Sequence, residues 1–251
     1  MGERTSYPPG TFSWVELVTS DADAAKAFYT EVFGWEYRDN PIGDGMVYST
    51  ALVDGLAAGA LFASAEQPPH WNCYVTVESV DDTARRAGEL GANVMAEPFD
   101  VMDVGRMAVI ADPTGAALAL WEPRSHIGAS VVNRPGALTW NDLVTPDPDA
   151  AARFYGELFG WMTMDIPDSG GYKVIRNGER SNGGIPPRQE GAPTAWLPYF
   201  GHADVNATAA RIGELGGRIL AGPMDIGMGR IAGTADPQGA VFALWTGDYE
   251  D

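Results

Sequence analysis

The chain has 251 residues, with 34 acidic against 16 basic side chains, so its formal net charge at neutral pH is −18. A polyanion of this size is repelled by phosphate backbones and by anionic lipid surfaces, so we expect neither nucleic acid nor a membrane surface as a partner. Cys73 is the only cysteine, and a single thiol can form neither an intrachain disulfide nor a thiolate zinc cage, which is typical of a reducing compartment.

The composition of the N-terminal stretch bears on where the protein acts. Residues 1–10 are polar and proline-rich, and no apolar stretch of the sequence reaches the ~18 residues of a membrane span. We therefore expect no secretory signal and no transmembrane segment. The expectation is a cytoplasmic protein that is a monomer or a homodimer.

The two halves of the sequence are similar to each other when they are aligned at an offset of about 126 residues. Residues 14–21 (WVELVTSD) match residues 140–147 (WNDLVTPD), and residues 12–35 share 14 identities in 24 positions with residues 138–161. The turn sequence at 112–115 (DPTG) recurs at 236–239 (DPQG). The chain is therefore a duplication, with residues 12–121 repeated as residues 138–245.

Within the first copy, alternation and helical spacing predict a strand, a helix and three strands, and then the same plan again. The first strand covers 12–19, and a helix follows over 21–33, ended by Gly34. Short β segments near 35–38, 46–50 and 55–63 complete the first module. The second module has a strand over 71–77, a helix over 80–90, and strands over 93–97, 106–111 and 116–121. Residues 112–115 predict a type I turn between the last two strands.

These elements give an α+β protein with two domains. We predict a first domain over residues 8–123, a second over 137–248, and a linker over 124–136 that contains the turn-forming residues Pro135 and Gly136.

A βαβββ module repeated in pairs, with F-Y-x-x-x-F-G-W ending each first helix and D-P-x-G before each last strand, resembles the glyoxalase/bleomycin-resistance/extradiol-dioxygenase superfamily. These proteins are also called vicinal oxygen chelate proteins. The resemblance covers nearly the whole chain and is strongest to double-length bacterial members described as glyoxalase-like. It implies four βαβββ modules that form two half-barrel domains in tandem, each around a cavity. Whether the modules pair within a copy or across copies stays open.

Catalytic members of the superfamily hold a divalent metal in the cavity, usually through His, Gln or Glu on the first and last strands. The corresponding positions here are Trp14 and Trp140, Ala119 and Ala243, and, on the strands that open the second modules, Asn72 and Leu197. Indole and methyl groups cannot ligate a metal, so we expect neither a metal nor another cofactor. A slipped alignment would instead bring His70 and Glu16 together. We expect His126 in the linker, and His202 facing the helices or at a strand end.

With the metal positions vacated, strand alternation predicts an aromatic cavity with one acid in each copy. The lining residues from the first and last strands are Phe12, Trp14, Glu16 and Trp121, and Leu138, Trp140, Asp142 and Trp245. The other candidate ligand-binding residues are Tyr48, Asn72, Tyr74 and Arg106 in the first copy and Tyr172, Tyr199 and Arg230 in the second. Large aromatic side chains also fill cores, so these tryptophans could instead be packing residues.

Glu16 and Asp142 are the candidate catalytic residues, because a carboxylate on an inward face is costly to bury unless it is paired or useful. Each could bind a ligand or act as a general base. The alternative is a salt bridge with Arg106 or Arg230.

The favoured function is therefore the metal-free binding of a small, aromatic or hydrophobic metabolite. One alternative is an enzyme, either a glyoxalase-like lyase or a metal-independent acid/base enzyme that uses Glu16 or Asp142. A third hypothesis is a scaffold for protein partners.

Overall fold

A computed structural model describes residues 2–43, 45–187 and 191–249. The first half contains, in chain order, β1 (Phe12–Thr19), α1 (Ala22–Phe33), β2 (Glu36–Gly43), β3 (Met46–Val53), β4 (Leu56–Ala63), β5 (His70–Thr76), α2 (Val80–Glu89), β6 (Asn93–Val101), β7 (Gly105–Ala111) and β8 (Ala117–Pro123). The second half contains β9 (Leu138–Val144), α3 (Pro148–Phe159), β10 (Met162–Asp165), β11 (Lys173–Asn177), β12 (Arg180–Ile185), β13 (Ala195–Gly201), α4 (Val205–Glu214), β14 (Arg218–Asp225), β15 (Gly229–Ala235) and β16 (Val241–Gly247).

The first helix shows how local sequence sets these boundaries. Asp21 is the N-cap of α1 and its side chain accepts a hydrogen bond from the Ala24 N–H at 3.0 Å, so the helix begins at Ala22. At the other end Gly34 adopts φ 70° and donates its N–H to the Thr30 carbonyl, a left-handed conformation that favours glycine. The predicted turn at 112–115 forms as well, with the Gly115 N–H donating to the Asp112 carbonyl at 2.9 Å.

Each half folds into its own eight-stranded sheet, so the modules pair within a copy. The strand orders are β2-β3-β4-β1-β5-β8-β7-β6 and β10-β11-β12-β9-β13-β16-β15-β14. The two modules of the first half meet where β1 pairs antiparallel with β5, and the second half repeats this pairing with β9 and β13. The architecture is the predicted α+β fold with two half-barrel domains in tandem.

The helices and the convex faces of both sheets enclose one aromatic core between the halves. The Tyr29 ring contacts Phe242, and the Trp35 and Trp71 rings contact Phe200. The Tyr29 hydroxyl also donates to Asp236 of the opposite half at 3.1 Å. The F-Y-x-x-x-F-G-W motif of one copy thus packs against the other copy, which makes the halves a single packing unit.

The predicted linker is packed closely along the first half. The Ala129 N–H donates to the Ser13 carbonyl and the Ser130 N–H to the Ala57 carbonyl, both at 2.7 Å. Gly128 adopts φ +108°, and a Cβ there would lie 2.4 Å from the Ser13 oxygen. This close approach requires glycine, and it fixes the course of the chain at residues 126–128.

Among the residues that the structure describes, no helix is both long and apolar enough to cross a lipid bilayer.

Candidate functional site

The concave faces of the two sheets carry equivalent clusters, each with a buried carboxyl surrounded by aromatic side chains. Directly opposed residues of neighbouring strands point to the same face of a sheet, which identifies the members. The first concave site consists of Trp14, Glu16, Tyr48, Asn72, Tyr74 and Trp121. The second concave site consists of Trp140, Asp142, Tyr172, Leu197, Tyr199 and Trp245.

In the second concave site three side chains donate hydrogen bonds to Asp142. The Tyr172 hydroxyl lies 2.6 Å from Oδ1, the Tyr199 hydroxyl 2.7 Å from Oδ2, and the Trp140 Nε1 3.0 Å from Oδ1. The same Trp140 N–H lies 2.8 Å from the Tyr172 oxygen. Asp142 itself is only 4% exposed, whereas the rings around it are partly exposed. A ligand on this face would therefore contact the rings before the carboxyl.

Burial raises the pKa of the Asp142 carboxyl above its usual range, and hydrogen bonds from Tyr172, Tyr199 and Trp140 act against that rise. The pKa of Asp142 stays raised because these contacts include no cation, so only neutral donors offset the lost hydration. The Asp142 carboxyl is therefore held by neutral donors and not by an ion pair among these contacts, and burial favours its protonated form.

Glu16 is the equivalent carboxyl of the first concave site. It is 8% exposed and accepts hydrogen bonds from the Tyr74 hydroxyl at 2.9 Å and the Asn72 amide at 3.3 Å, with a further bond from Tyr48. The Trp14 N–H donates to the Tyr48 oxygen at 3.0 Å. Burial raises the pKa of Glu16 against these donors. Both halves thus repeat one Trp–Tyr–carboxyl–Tyr arrangement.

The first site has a polar extension that the second site lacks. The Asn72 carbonyl oxygen lies 3.2 Å from His70 Nε2, and His70 Nδ1 lies 2.8 Å from the Pro68 carbonyl. His70 and Asn72 correspond to Ala195 and Leu197 in the second half. A hydrogen-bonded chain therefore connects Glu16 to a partly exposed imidazole in the first half alone.

His126 of the predicted linker lies over the first concave site. Its ring meets Trp14 edge-on at 4.7 Å between centroids and Trp121 at 5.8 Å, and its carbonyl accepts the Trp121 N–H at 2.9 Å. Burial, and then the charge of Arg38, lower the pKa of His126. His126 lies between β8 and β9, and the sequence gave no sign of its contact with the site. His202 lies just past the end of β13, as expected, with Nδ1 2.7 Å from the Thr208 hydroxyl.

Phe12 and Leu138 lie outside the concave sites, contrary to the alternation argument. A β-bulge shifts the register between Phe12 and Trp14, so Phe12 lies opposite Val75 on the convex face and its ring contacts Trp161 and Trp196. An extra residue in one strand reverses which face the earlier residues occupy. The same irregularity in the second half places Leu138 opposite Phe200.

Arg106 and Arg230 also lie away from the two carboxyls. Arg106 is next to Met107, which lies opposite Trp121, so the arginine points to the opposite face. There it bonds to Asp81 at 2.7 Å and Asp100 at 3.0 Å. Arg230 has the same strand parity in the second half, beside Ile231 and opposite Thr246. The alternative of salt bridges with Glu16 and Asp142 is therefore wrong, and both arginines, named as candidate ligand-binding residues, lie on the convex faces.

The concave faces include residues from the outer strands that the sequence analysis did not single out. In the first half Phe99 lies opposite Met107, which lies opposite Trp121, and Phe99 is 45% exposed. In the second half Met164 is connected to Asp142 by directly opposed residues of β11 and β12, so both side chains point to the same face, and Met164 is 46% exposed. Only the observed strand register shows that Phe99 and Met164 face the sites, because bulges in the outer strands interrupt simple alternation.

The two concave sites differ in how far their rings are exposed: Trp14, Tyr74 and Trp121 are buried, whereas the rings of the second site are partly exposed. Two surface grooves, of about 280 and 390 Å³, lie elsewhere on the molecule, one beside Leu158 and the other beside Arg85. A ligand at the second concave site would therefore lie across the aromatic rings, whereas a ligand at the first would meet Tyr48 and the His126 ring that covers Trp14 and Trp121.

The donor set of the concave sites does not fit the superfamily's metal. Trp14 and Ala119 flank Tyr74 on the first concave face, so an indole and a methyl group occupy the first-strand and last-strand positions. Asn72 lies between His70 and Glu16 and forms a hydrogen bond with both. The imidazole and the carboxyl that a slipped alignment would bring together as metal ligands are therefore kept apart. In the described residues, no group of three or more His, Cys, Asp or Glu side chains is placed to hold a metal ion.

Two tandem half-barrels of βαβββ modules define a protein of the glyoxalase type. The sequence profile of the Glyoxalase/Bleomycin resistance protein/Dioxygenase superfamily matches residues 11–120 and 137–244. The chain belongs to that superfamily.

Relatives from Mycobacterium and Streptomyces align with nearly the whole chain. A protein of Mycobacterium tuberculosis named "Putative glyoxylase CFP32" is 43% identical over 254 residues, which cover 97% of each chain. The "Anthracycline biosynthesis protein DauV" of a Streptomyces species is 31% identical over 273 residues, covering 96% of this chain and 94% of the relative.

Solved structures share the fold at low sequence identity. The Mn(II)-bound glyoxalase of Novosphingobium aromaticivorans aligns with a TM-score of 0.68 and 17% identity, covering all of this chain and 86% of the other. An extradiol ring-cleaving dioxygenase of B. fuscum aligns with a TM-score of 0.67 and 18% identity, covering 98% and 75%. These likenesses concern the fold and carry no residue roles.

Proposed function

We propose that the chain binds a small, planar aromatic or hydrophobic metabolite at its two concave sites, without a bound metal. The observation that carries this proposal is the duplicated Trp–Tyr–carboxyl–Tyr cluster, which lies beside exposed apolar side chains such as Phe99 and Met164. Aromatic walls with a few convergent polar groups are typical of small-molecule sites. The hydroxyls would orient a ligand that the rings hold by stacking.

The relatives' names are consistent with such a ligand. DauV is named for the biosynthesis of anthracyclines, which are compounds with fused aromatic rings. An aromatic ligand of this kind suits an open face lined by Trp140, Trp245 and Met164 better than it suits a closed pocket. We also propose that the protein binds its ligand without nucleic acid or membrane partners, because the net charge is −18.

The eight tryptophans provide a direct test of the binding proposal. Four indoles belong to the concave sites, where those of Trp140 and Trp245 are partly exposed and those of Trp14 and Trp121 lie under His126. The others are buried between the sheets: Trp35, Trp71, Trp161 and Trp196. Titration with 2-acetylnaphthalene is expected to shift the concave indole N–H signals in ¹H–¹⁵N spectra and to leave the core signals in place.

Gly184→Ala is the matching disruptive variant. A Cβ at residue 184 would lie 1.8 Å from the Tyr172 hydroxyl and 2.7 Å from Asp142 Oδ1, so the tyrosine must move. We expect the Trp140 and Trp245 responses to be lost and those of Trp14 to remain. Gly213→Ala is the control, since a Cβ there meets nothing within 4 Å. Unchanged concave signals in the parent protein would contradict the proposal, as would shifts confined to core indoles.

The metal-free part of the proposal needs a separate measurement. Protein purified without chelator is expected to contain far less than one equivalent of zinc, nickel, iron or manganese. Stoichiometric metal that is lost when Glu16 is changed to Gln would overturn it.

The raised pKa values of the two buried carboxyls favour a second candidate, a metal-independent enzyme that uses Glu16 or Asp142 for proton transfer. Glu16→Gln and Asp142→Asn preserve size while removing the titratable group. If a reaction is found with a metabolite that co-purifies in native mass spectrometry, one of these variants is expected to lower kcat at least 100-fold. Turnover unaffected by both variants would exclude this candidate and leave the binding function.

A further inference from the structure

The two concave sites differ in charge at corresponding positions of the duplicated sequence. Arg38 of the first half corresponds to Met164 of the second at the offset of 126 residues. Arg38 lies on β2 and Met164 on β10, and each points to the same face as the buried carboxyl of its half. Asn40 corresponds in the same way to Ile166. Together with His70 and Asn72, these replacements make one rim of the first site polar where the second site is apolar.

Arg38 lies on the concave face and forms no ion pair with any residue that the structure describes. Arg38 lies opposite Thr50, Thr50 lies opposite Ala60, and Ala60 lies opposite Glu16. The Arg38 side chain therefore points to the same face as Glu16. The residue is exposed, and in the described part of the chain no acidic side chain lies within 4.0 Å of its guanidinium group. Its charge reaches His126, which covers Trp14 and Trp121.

The surrounding groups leave this cation available for a ligand. Asp39 is next to Arg38 on the strand but points to the other face, where it bonds to Lys26 at 2.7 Å. Glu16 is the buried acid of the concave face, and it already accepts hydrogen bonds from Tyr74 and Asn72 while burial favours its neutral form. The other titratable side chains of this face are the exposed carboxyl of Glu36, two residues before Arg38 on the same strand, the hydroxyls of Tyr48 and Tyr74, and the imidazoles of His70 and His126. Within the described ranges neither Glu36 nor Glu16 forms an ion pair with Arg38, although the net charge of the protein is strongly negative.

We propose that the first concave site binds an aromatic ligand that carries an anionic group, with the partly exposed rings of Tyr48, Phe62 and His126 against the ligand and Arg38 on the anion. The second concave site binds an uncharged aromatic ligand. Arginine suits this role because its planar guanidinium group forms paired hydrogen bonds with a carboxylate. The inference rests on the proposed binding function and adds the chemical class that each half selects.

The test uses two probes of nearly equal shape, 2-naphthoate and 2-acetylnaphthalene, with the indole N–H signals reporting each site separately. We expect 2-naphthoate to shift Trp14 and Trp121 at lower concentrations than Trp140 and Trp245. Arg38→Met, which gives the first half the residue of the second, should weaken 2-naphthoate binding there about tenfold, since hydrogen bonds to charged groups are stronger than neutral ones. Its effect on 2-acetylnaphthalene should be less than twofold.

Met164→Arg is the reciprocal variant and should strengthen binding of 2-naphthoate to the second site. Equal affinity of 2-naphthoate for both sites would overturn the inference, as would an unchanged affinity in Arg38→Met. In either case binding of 2-acetylnaphthalene would still support the proposed function. If neither probe shifts any concave indole, the proposed function fails together with the inference.

Discussion

Replacement of Trp161 by alanine is expected to lower the free energy of unfolding by about 4 kcal/mol. Its indole is buried between the halves, stacks on Tyr155 and contacts Phe12 and Trp196. The ring N–H also donates to the Gly10 carbonyl of the first half at 2.8 Å. The variant would leave both a cavity and a carbonyl without its donor. Urea denaturation followed by circular dichroism measures the loss.

Two further variants separate the contribution of the ring contacts from that of the N–H hydrogen bond. Trp161→Phe keeps much of the ring contact and removes the N–H, so a loss of about 1–3 kcal/mol is expected. Met162→Ala, at a neighbouring side chain that is 59% exposed, should change stability by less than about 0.5 kcal/mol. A loss of less than about 1 kcal/mol in Trp161→Ala would show that the interface between the halves is not a packed core.

The same core implies that the two halves unfold together. Phe12 of the first half contacts Trp161 of the second, and Trp71 of the first contacts Phe200 of the second. Neither half can lose its structure without exposing aromatic surface of the other, so a single transition is expected for the parent protein.

The sequence was sufficient for the fold because the duplicated motifs coincide with the packing that defines it. The helix cap at Asp21 and the turn at Asp112 are local signals, and each is read from a few neighbouring residues. The pairing of modules within a copy could not be read this way, because a sequence of βαβββ units is compatible with either pairing. Only contacts between distant strands, such as Glu16 opposite Asn72, settle it.

The composition of the concave sites was only partly predictable for the same reason. Strand alternation placed Trp14 and Glu16 on one face, because the stretch from Trp14 to Val18 is regular, but it did not give the orientation of Tyr74, which only the pairing with Trp14 shows. It failed for Phe12, where a bulge reverses the alternation. Arg106 was chosen because it recurs in the second copy, but recurrence does not indicate a face, and its partner Asp81 lies on α2. The contacts of His126 depend on how the linker folds back, which local sequence does not encode.

Removal of the two hydroxyls that bond to Asp142, in Tyr172→Phe/Tyr199→Phe, is expected to lower the free energy of unfolding by about 2–4 kcal/mol at neutral pH. The double variant leaves the carboxylate with the Trp140 N–H, at 3.0 Å, as its remaining donor among the contacts described above. An ionised group buried with too few donors is costly. Tyr37→Phe is the control, because the Tyr37 hydroxyl is buried without a hydrogen-bond partner in the described residues, and its loss should cost little.

The loss of stability in the double variant should depend on pH, and the pKa of Asp142 determines the direction of that dependence. Burial raises that pKa in the folded state, so the folded protein holds the proton more tightly than the unfolded chain. The resulting stabilisation is complete below the unfolded value of about 3.9 and is lost as the pH rises through the folded pKa. Since removing the hydroxyls raises the folded pKa further, the difference from the parent protein should be small near pH 4 and should grow towards pH 8. Urea denaturation of both proteins across this range measures it, and a difference that stays constant with pH would mean that Asp142 does not ionise in the folded protein.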